Sequence, residues 1–316
     1  MNPLNPLNPL NPARAPRAFK LGIIGYPLGY SLSPLLHQAA FRAVADEGIE
    51  GTYEEYPVAP SDLRRWLERE VSARRLDGFN VTIPHKEPVF QWIKAEGAFA
   101  YPHEEWIGAV NTVRVERGRG RACNTDAPGF LEALAQSEVS ERLGPRFSLR
   151  KGRVVLLGAG GAARAVAFAL IWHARVGTLV IWNRRRERAQ ALAEDLKRLC
   201  RKGAGRPCAV CVVDEVGQAA MEGAALLVNA VPVGEELLVD PQLLGPGLAV
   251  CDLVYQPPWT ALLRAAKRRQ AVVVSGLEML ANQAALAFHF WVGPRRDVRG
   301  AMRQALRAQV GDAWPS

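Results

Sequence analysis

Leu156-Leu157-Gly158-Ala159-Gly160-Gly161-Ala162-Ala163-Arg164, followed by Asn183-Arg184-Arg185-Arg186-Glu187-Arg188, decides the fold of this chain. The apolar run Val154 to Leu157 reads as a strand that ends in a glycine-rich turn, and the turn opens a helical segment from Ala162 to His173. In such a unit the glycines let the backbone approach a pyrophosphate, and the helix N-terminus faces its charge. A second apolar run, Thr178 to Trp182, ends in guanidinium groups. An acidic residue there would accept hydrogen bonds from a ribose 2′-hydroxyl, whereas arginines suit a 2′-phosphate. The two stretches together predict NADP rather than NAD. The turn alone says little, because any tight strand-to-helix turn favours glycine; the flanking strand, the helix and the basic cluster give it weight.

Working outward, 316 residues suffice for two modest domains, and 49% hydrophobic with 22% charged residues is an ordinary globular composition. No apolar run approaches the roughly 20 residues that span a bilayer. Met1 to Pro12 repeats Asn-Pro-Leu three times without the basic-then-apolar layout of a secretory signal. Recurrent proline removes amide donors and blocks helix, so residues 1–20 are expected to be a disordered tail. The net charge of +9 raises nucleic acid as a partner. Its location argues against one: Arg184 to Arg206 holds nine Lys or Arg against three acids, on the expected phosphate site and the helix after it. No aromatic interleaving makes a stacking platform there. Cys123, Cys200, Cys208, Cys211 and Cys251 are odd in number. Reduced thiols in a cytoplasm are the simplest reading. Cys208 and Cys211 have metal-like spacing but no second pair or His to complete four ligands, so no metal is expected, and Cys208 to Val213 reads as a buried strand.

Strand-like runs alternate with helical periodicity along the whole chain, which predicts α/β layering. The first half offers strands near Leu21–Gly25, Thr52–Val58, Gly78–Thr82 and Ala109–Val115, with helices at Pro34–Glu47, Ser61–Val71 and Glu87–Ala95. The second half offers strands at Val154–Leu157, Thr178–Trp182, Ala209–Val213, Leu226–Asn229, Ala249–Leu253 and Ala271–Val274, the number of a full doubly wound sheet. Ala127 to Leu149, with Gly144-Pro145, reads as a connection, and Leu277 to Val292 as an apolar helix able to pack back on the first half. Ala95 to Trp106 is rich in aromatics for no evident functional reason.

Four polar clusters fall at expected strand ends: Gly25-Tyr26-Pro27-Leu28-Gly29-Tyr30-Ser31-Leu32-Ser33-Pro34, Asn80-Val81-Thr82-Ile83-Pro84-His85-Lys86, Gly108-Ala109-Val110-Asn111-Thr112 and Asn124-Thr125-Asp126. Short Ser, Thr and Asn side chains both donate and accept, which makes a pocket that reads hydroxyls. Together with the nucleotide motif, Tyr255-Gln256 and the late Gly276-x-x-Met279-Leu280-x-x-Gln283 set, these clusters resemble the shikimate dehydrogenase family, from about Leu21 to Val292.

The resemblance implies two α/β domains with a cleft between them. One is an N-terminal substrate domain (21–127 plus 276–316) with a mixed, mainly parallel sheet. The other is a Rossmann-type doubly wound NADP-binding domain (128–275). It implies NADPH-dependent reversible reduction of 3-dehydroshikimate to shikimate, in aromatic amino-acid and chorismate biosynthesis, by a cytoplasmic monomer or homodimer that takes a small molecule and neither nucleic acid nor membrane. Lys86 and Asp126 are the expected catalytic pair, converging across the cleft. A carboxylate near an ammonium holds its position, and which of the two carries the proton stays open. Ser31 and Ser33 match serines that hold the substrate carboxylate, and Ser33 is also placed to cap a helix ahead of Pro34. Asn80 and Thr82 match hydroxyl or carboxylate contacts, Asn111 and Gln283 hydroxyl contacts, and Tyr255 a tyrosine near the carboxylate. His85 falls at a variable place in its motif and is not expected to be catalytic. For the cofactor, Gly158, Ala159, Gly160, Gly161 and Ala162 match the pyrophosphate turn. Asn183, Arg184 and Arg188 match the ribose-phosphate clamp, with Arg185 where NADP-dependent members usually have Thr. Arg186 stands where a relative that accepts NAD can carry Asp. Gly276 and Met279 match positions near the nicotinamide.

The chain departs from the family in three places. The usual Asn-Ala-Thr-Ser-x-Gly loop reads Asn229-Ala230-Val231-Pro232-Val233-Gly234, so Val231, counted with the cofactor residues, replaces a hydroxyl. Asp126 is followed by Ala127-Pro128 instead of Gly, and Tyr255 by Gln256-Pro257-Pro258-Trp259-Thr260 instead of the favoured Thr-Pro-Leu. Two alternatives stay open: a quinate/shikimate dehydrogenase of broader specificity, and a catalytically weak nucleotide-binding regulatory homologue.

Overall fold

The computed structural model describes residues 17–29, 31–136, 139–143, 149–202, 207–293 and 296–315. The Asn-Pro-Leu repeats and Gly144-Pro145 lie outside them. The chain divides into two compact units. The first runs through Glu104 and adds Val110–Thr125 and Gln283–Gln309; the second comprises Glu105–Ala109, Asp126–Asn282 and the residues from Val310 on.

The first unit is built on strands β1 (Arg17–Gly25), β2 (Ile49–Pro57), β3 (Gly78–Val81), β4 (Ala98–Phe99), β5 (Thr112–Glu116) and β6 (Arg119–Cys123), in the order β2-β1-β3-β5-β6-β4. The pairs β1–β2, β1–β3 and β4–β6 are parallel, and β3–β5 and β5–β6 antiparallel. β1 starts at Arg17, so residues 17–20 of the expected tail are sheet. The hairpin β5–β6 is absent from the expected strand set. Its turn places Arg117 (φ 52) and Gly118 (φ 79) in the left-handed region, as tight two-residue hairpins require. Ala109–Asn111 is not strand, a correction to the expected Ala109–Val115: its amides turn to Lys86 and Cys123 carbonyls instead of a ladder. Helices α1 (Ser33–Ala43), α2 (Leu63–Ser72) and α3 (Lys86–Glu96) cover the sheet, and the short α4 (Glu104–Ile107) follows β4. One core joins Leu67, Phe79, Val89, Ile93 and Val113. His37, Tyr53, Phe288 and Trp291 stack elsewhere in this unit, and Trp291 donates to the Val113 carbonyl at 2.8 Å. The aromatic stretch after Ala95 serves packing, with Phe99 stacked on Phe90 at 5.2 Å and Tyr101 on His103 at 5.5 Å.

The second unit holds β7 (Arg153–Leu157), β8 (Thr178–Trp182), β9 (Ala209–Val212), β10 (Ala224–Asn229), β11 (Ala249–Asp252) and β12 (Val272–Ser275), all parallel, in the order β12-β11-β10-β7-β8-β9. This is the doubly wound order, whose direction reverses between β7 and β10. Alternate residues of β7 feed two cores, Val154 and Leu156 one, Val155 and Leu157 the other, as a sheet covered on both faces requires. β9 is an edge strand with Cys211 exposed, which corrects the expectation of a buried strand there: the last strand has a neighbour on one side only. The helices α5 (Asp126–Gln136), α6 (Val139–Leu143), α7 (Gly161–Phe168) and α8 (Arg186–Lys202) line one core, and α9 (Gln218–Met221) and α10 (Ala261–Arg268) the other. α7 continues as one π-type turn, Ala169–Ala174. The long apolar helix α11 (Gly276–Val292) passes from the second unit to the first at Gln283.

Candidate active site

In the first unit the polar clusters gather at one sheet edge. Thr112 stands opposite both Asn80 and Cys123, so the end of β3, the start of β5 and the end of β6 meet there. Asn111, just before β5, is the hub. Its Oδ1 accepts the Thr125 amide at 2.8 Å and the Thr112 hydroxyl at 3.0 Å. Its Nδ2 donates to Thr125 Oγ1 at 2.9 Å and to Gln283 Oε1 at 3.3 Å. Buried amides need partners, and Gln283 finds them in Asn111 and Thr125 across 172 and 158 residues of chain. Asn80 is more deeply engaged than a ligand contact requires. Its Oδ1 accepts the Tyr53 hydroxyl at 2.6 Å, and its Nδ2 donates to the Asn111 carbonyl and to Thr112, each at 3.1 Å. Ser31 Oγ accepts the Ser33 amide at 3.2 Å; Ser33 is the first residue of α1 and not its cap, which falls at Leu32 without a side-chain bond, a correction to the capping expected of Ser33. Thr82 follows β3; its amide bonds to Ile24 and its carbonyl to His85.

Lys86 is the first residue of α3, and its carbonyl accepts the Val110 amide at 3.1 Å, which ties it to the segment carrying Asn111. His85 is a strut: buried, it bonds the Val58 carbonyl through Nε2 at 2.7 Å, and burial holds its pKa below the ordinary value. Asp126 is buried and opens α5 in the second unit, directly after Thr125. Two buried groups of the first unit escaped the sequence reading. His37 is fully buried against Tyr53, and its pKa is driven down to about 3 by burial. Glu104 is also buried. It takes a hydrogen bond from the Asn124 backbone, and burial drives its carboxyl up to about 8.

In the second unit the register aligns Trp182, Leu157, Asn229, Asp252 and Ser275 across the ends of five neighbouring strands. The segments carrying Gly158–Ala162, Asn183–Arg188, Val231, Tyr255, Gly276 and Met279 therefore all leave one sheet edge. The turn fits a dinucleotide. Gly158 has φ +116, and a Cβ there would press on the Ala230 backbone at 3.1 Å. A Cβ on Gly160 would meet no atom within 4 Å, so the backbone borders open space at the start of α7, and Gly160 caps that helix without a side chain. The Gly158 amide is anchored to the Trp182 carbonyl at 2.7 Å. Beyond β8, Asn183 Nδ2 donates to the Arg185 carbonyl at 2.8 Å and shapes the arginine loop. Arg184 pairs with Glu236 at 3.0 Å, and Arg186 with Asp214. A phosphate that enters here meets arginines already facing carboxylates. The Val231-Pro232 loop keeps its form through the Asn229 side chain, whose Oδ1 accepts the Val231 amide at 3.0 Å.

Three family models match in chain order. The shikimate dehydrogenase substrate binding domain matches residues 23–113, shikimate / quinate 5-dehydrogenase residues 137–202, and the shikimate 5′-dehydrogenase C-terminal domain residues 276–307. The chain is 40% identical over 306 residues to the shikimate dehydrogenase (NADP+) of Methanothermobacter thermautotrophicus, covering 90% of this chain and 95% of that one. The chain belongs to the shikimate dehydrogenase family. Among solved members, the Thermus thermophilus shikimate 5-dehydrogenase in complex with NADP(H) and shikimate superposes with a TM-score of 0.74 at 37% identity, covering 92% of this chain and 99% of that one. The Corynebacterium glutamicum quinate dehydrogenase in complex with NAD, also similar, gives 0.76 at 30% identity over 92% and 99%.

Proposed function

We propose that this protein is an NADP-dependent shikimate dehydrogenase, which reduces 3-dehydroshikimate to shikimate and runs in reverse. The observation that carries the reading is the joint presence, along one chain, of the neutral Asn111–Thr125–Gln283 cluster beside Lys86 and of a glycine turn followed by arginines. The 40% identity to a relative named for this activity supports it.

NADP, when bound, supplies the hydride chemistry; the chain's own residues do the rest. The amides and hydroxyls of Asn111, Thr82 and Gln283 read the substrate hydroxyls, and Ser31 and Ser33, with Tyr255, hold the carboxylate. The Lys86 ammonium gives a proton or hydrogen bond to the developing alkoxide in reduction and takes the proton back in oxidation. Asp126 binds a substrate hydroxyl. Gly158 to Ala162 would receive the pyrophosphate on backbone amides, and Asn183, Arg184, Arg185 and Arg188 would hold the 2′-phosphate, with Arg186 disfavouring NAD. Val231, Gly276 and Met279 would hold the nicotinamide end of the cofactor. The five free cysteines fit a reducing cytoplasm. No helix among the described residues is long and apolar enough to cross a membrane. The enzyme acts as a monomer or homodimer.

Purified protein is mixed with shikimate or quinate and with NADP+ or NAD+, and reduced-cofactor absorbance is followed. Shikimate with NADP+ is expected to win by at least about tenfold, the step that even one arginine–phosphate contact provides. Quinate with NAD+ winning overturns the reading in favour of the second one, a quinate dehydrogenase, which the similarity to the Corynebacterium glutamicum protein supports. NADP+ binding without turnover returns the regulatory alternative.

A further inference from the structure

We propose that Asp252 is a positioning residue for this reaction, whose ionised carboxylate fixes the two loops that carry Val231 and Tyr255. The inference rests on the function proposed above and deepens it. Asp252 ends β11, lies between Asn229 of β10 and Ser275 of β12 in register, and has no exposed surface. Its Oδ1 accepts Asn229 Nδ2 at 2.8 Å and the Val254 amide at 3.0 Å, and its Oδ2 accepts the Thr260 hydroxyl at 2.6 Å. Each donor belongs to a different segment. Asn229 shapes the Val231 loop through both ends of its amide, taking the Val231 N–H and donating to the Val231 carbonyl at 3.2 Å. Val254 precedes Tyr255. Thr260 caps α10 by accepting the Leu263 amide at 3.2 Å. Two backbone bonds close the same circuit, Leu253 N–H to the Asn229 carbonyl at 2.9 Å and Ala261 N–H to the Gly234 carbonyl at 2.7 Å.

Three donors converge on two carboxylate oxygens, and Oδ1, which already accepts two of them, has no lone pair left for a proton. Oδ2 accepts only the Thr260 hydroxyl and can take a proton, but the proton removes the negative charge that strengthens all three bonds. Protonation therefore weakens the hold of the carboxyl group on both loops. Burial pushes the Asp252 carboxyl up to about 6, against the opposing pull of the Thr260, Val254 and Asn229 bonds, which brings this event within reach of ordinary pH. The titratable groups on the elements around it are Cys251, Tyr255, Arg264, Lys267, Arg268 and Glu278. Arg264 is engaged by Glu235 and the Trp259 carbonyl. The Cys251 thiol is pushed up by burial and then by the Asp252 charge, so it stays neutral.

Asp252→Asn keeps the shape and imitates the protonated acid. NADP+ affinity of both proteins is measured by quenching of tryptophan fluorescence from pH 5 to 8. The ligand's 2′-phosphate titrates near pH 6 as well, but it does so identically for both proteins and cancels in the ratio of their Kd values. That ratio is expected near one at pH 5, rising to about tenfold at pH 8, the loss that follows from one hydrogen bond to a charged group. A ratio that is flat with pH overturns the role of Asp252. Thr260→Val tests the same point without touching the carboxylate: loss of that donor should move the inflection of NADP+ affinity to higher pH, and Thr260→Ser should restore it. An unmoved inflection in Thr260→Val also overturns the proposal. A wild-type protein that binds NADP+ while the ratio stays flat condemns this inference alone; one that fails to bind NADP+ at any pH condemns the function beneath it as well.

Discussion

Asn111 and Asp252 occupy comparable stations. Each stands where a strand of its sheet begins or ends, each is buried, and each is bonded to several segments at once. Their surroundings differ in kind. Around Asn111 the partners are amides and hydroxyls, namely Asn80, Thr112, Thr125 and Gln283. Around Asp252 an acceptor-only carboxylate faces donors. A neutral network has no protonation step near neutral pH and can turn a hydroxyl either way, which suits the reading of a polyhydroxylated substrate. A network centred on a charge is stiffer and carries a titration. On the proposed reading, the first unit keeps its network out of the proton chemistry and leaves that work to Lys86, while the second uses charge to hold loops still.

The largest test of that division is Lys86→Ala. If Lys86 manages the proton and the neutral cluster does not, kcat should fall by roughly 10²–10⁴, the range for loss of a positioned acid–base group. NADP+ affinity should hardly change, because Lys86 is not among the residues proposed to hold the nucleotide. Turnover near the wild-type rate would show that the proton travels through some other group, and the contrast would lose its first half.

The next test asks whether the first unit is as free of buried titration as its site cluster. It is not, and the exceptions lie just outside the cluster. Glu104 has its carboxyl raised from 4.5 to about 8 by burial, so its contribution to stability is complete below pH 4.5 and is lost as pH rises through 8. His37, lowered to about 3 by burial, works in the other direction: its contribution is present above 6.5 and is lost as pH falls toward 3. Glu104→Gln should therefore abolish an alkaline loss of roughly 3–5 kcal/mol, at 1.36 kcal/mol per pKa unit. Urea melts at pH 5 and pH 9 measure it. Equal alkaline losses in variant and wild type would mean that Glu104 is ionised in the fold at neutral pH.

Much of this was legible in the residues, and the parts that were not have definite causes. The apolar runs of the second half were short, regularly spaced and punctuated by turn residues, and all six became the parallel sheet within a residue or two at each end. The mixed sheet was harder to read. β6 reads Arg-Gly-Arg-Ala-Cys, with no apolar alternation until its end, and its hairpin is marked only by Arg117-Gly118. β4 is two residues long, below any periodicity. Gln283 stands out as an amide on an otherwise apolar helix, whereas Asn111 and Lys86 stand out through the polar clusters that resemble the family's motifs. Asp252 did not, since an acid at the end of a strand looks like the start of a turn until its donors at 229, 254 and 260 are brought together in space. Glu104 and His37 were hidden for a related reason: burial of a charged residue type is a tertiary fact that no local pattern reports.

The finest test returns to charge in the second unit, at its exposed rim. Arg184 is expected to hold the 2′-phosphate, so Arg184→Ala should weaken NADP+ about tenfold and leave NAD+ nearly unchanged, as loss of one charged contact predicts. Glu236 now faces that guanidinium at 3.0 Å, with both side chains more than half exposed. A carboxylate there competes with a phosphate for the same donors and repels it. Glu236→Gln should then tighten NADP+ by about two- to fivefold, the ceiling set by a surface ion pair worth at most about 1 kcal/mol. The gain should shrink as ionic strength rises, because exposed charges are screened over about 10 Å at 0.1 M salt. Isothermal titration of both nucleotides at two salt concentrations decides it. Equal tightening of NAD+ would mean that Glu236 acts on the loop as a whole and not on the phosphate; no salt dependence would mean that its charge is irrelevant. In either case the distinction between a charge that fixes backbone, as at Asp252, and a charge that competes with ligand would have to be redrawn.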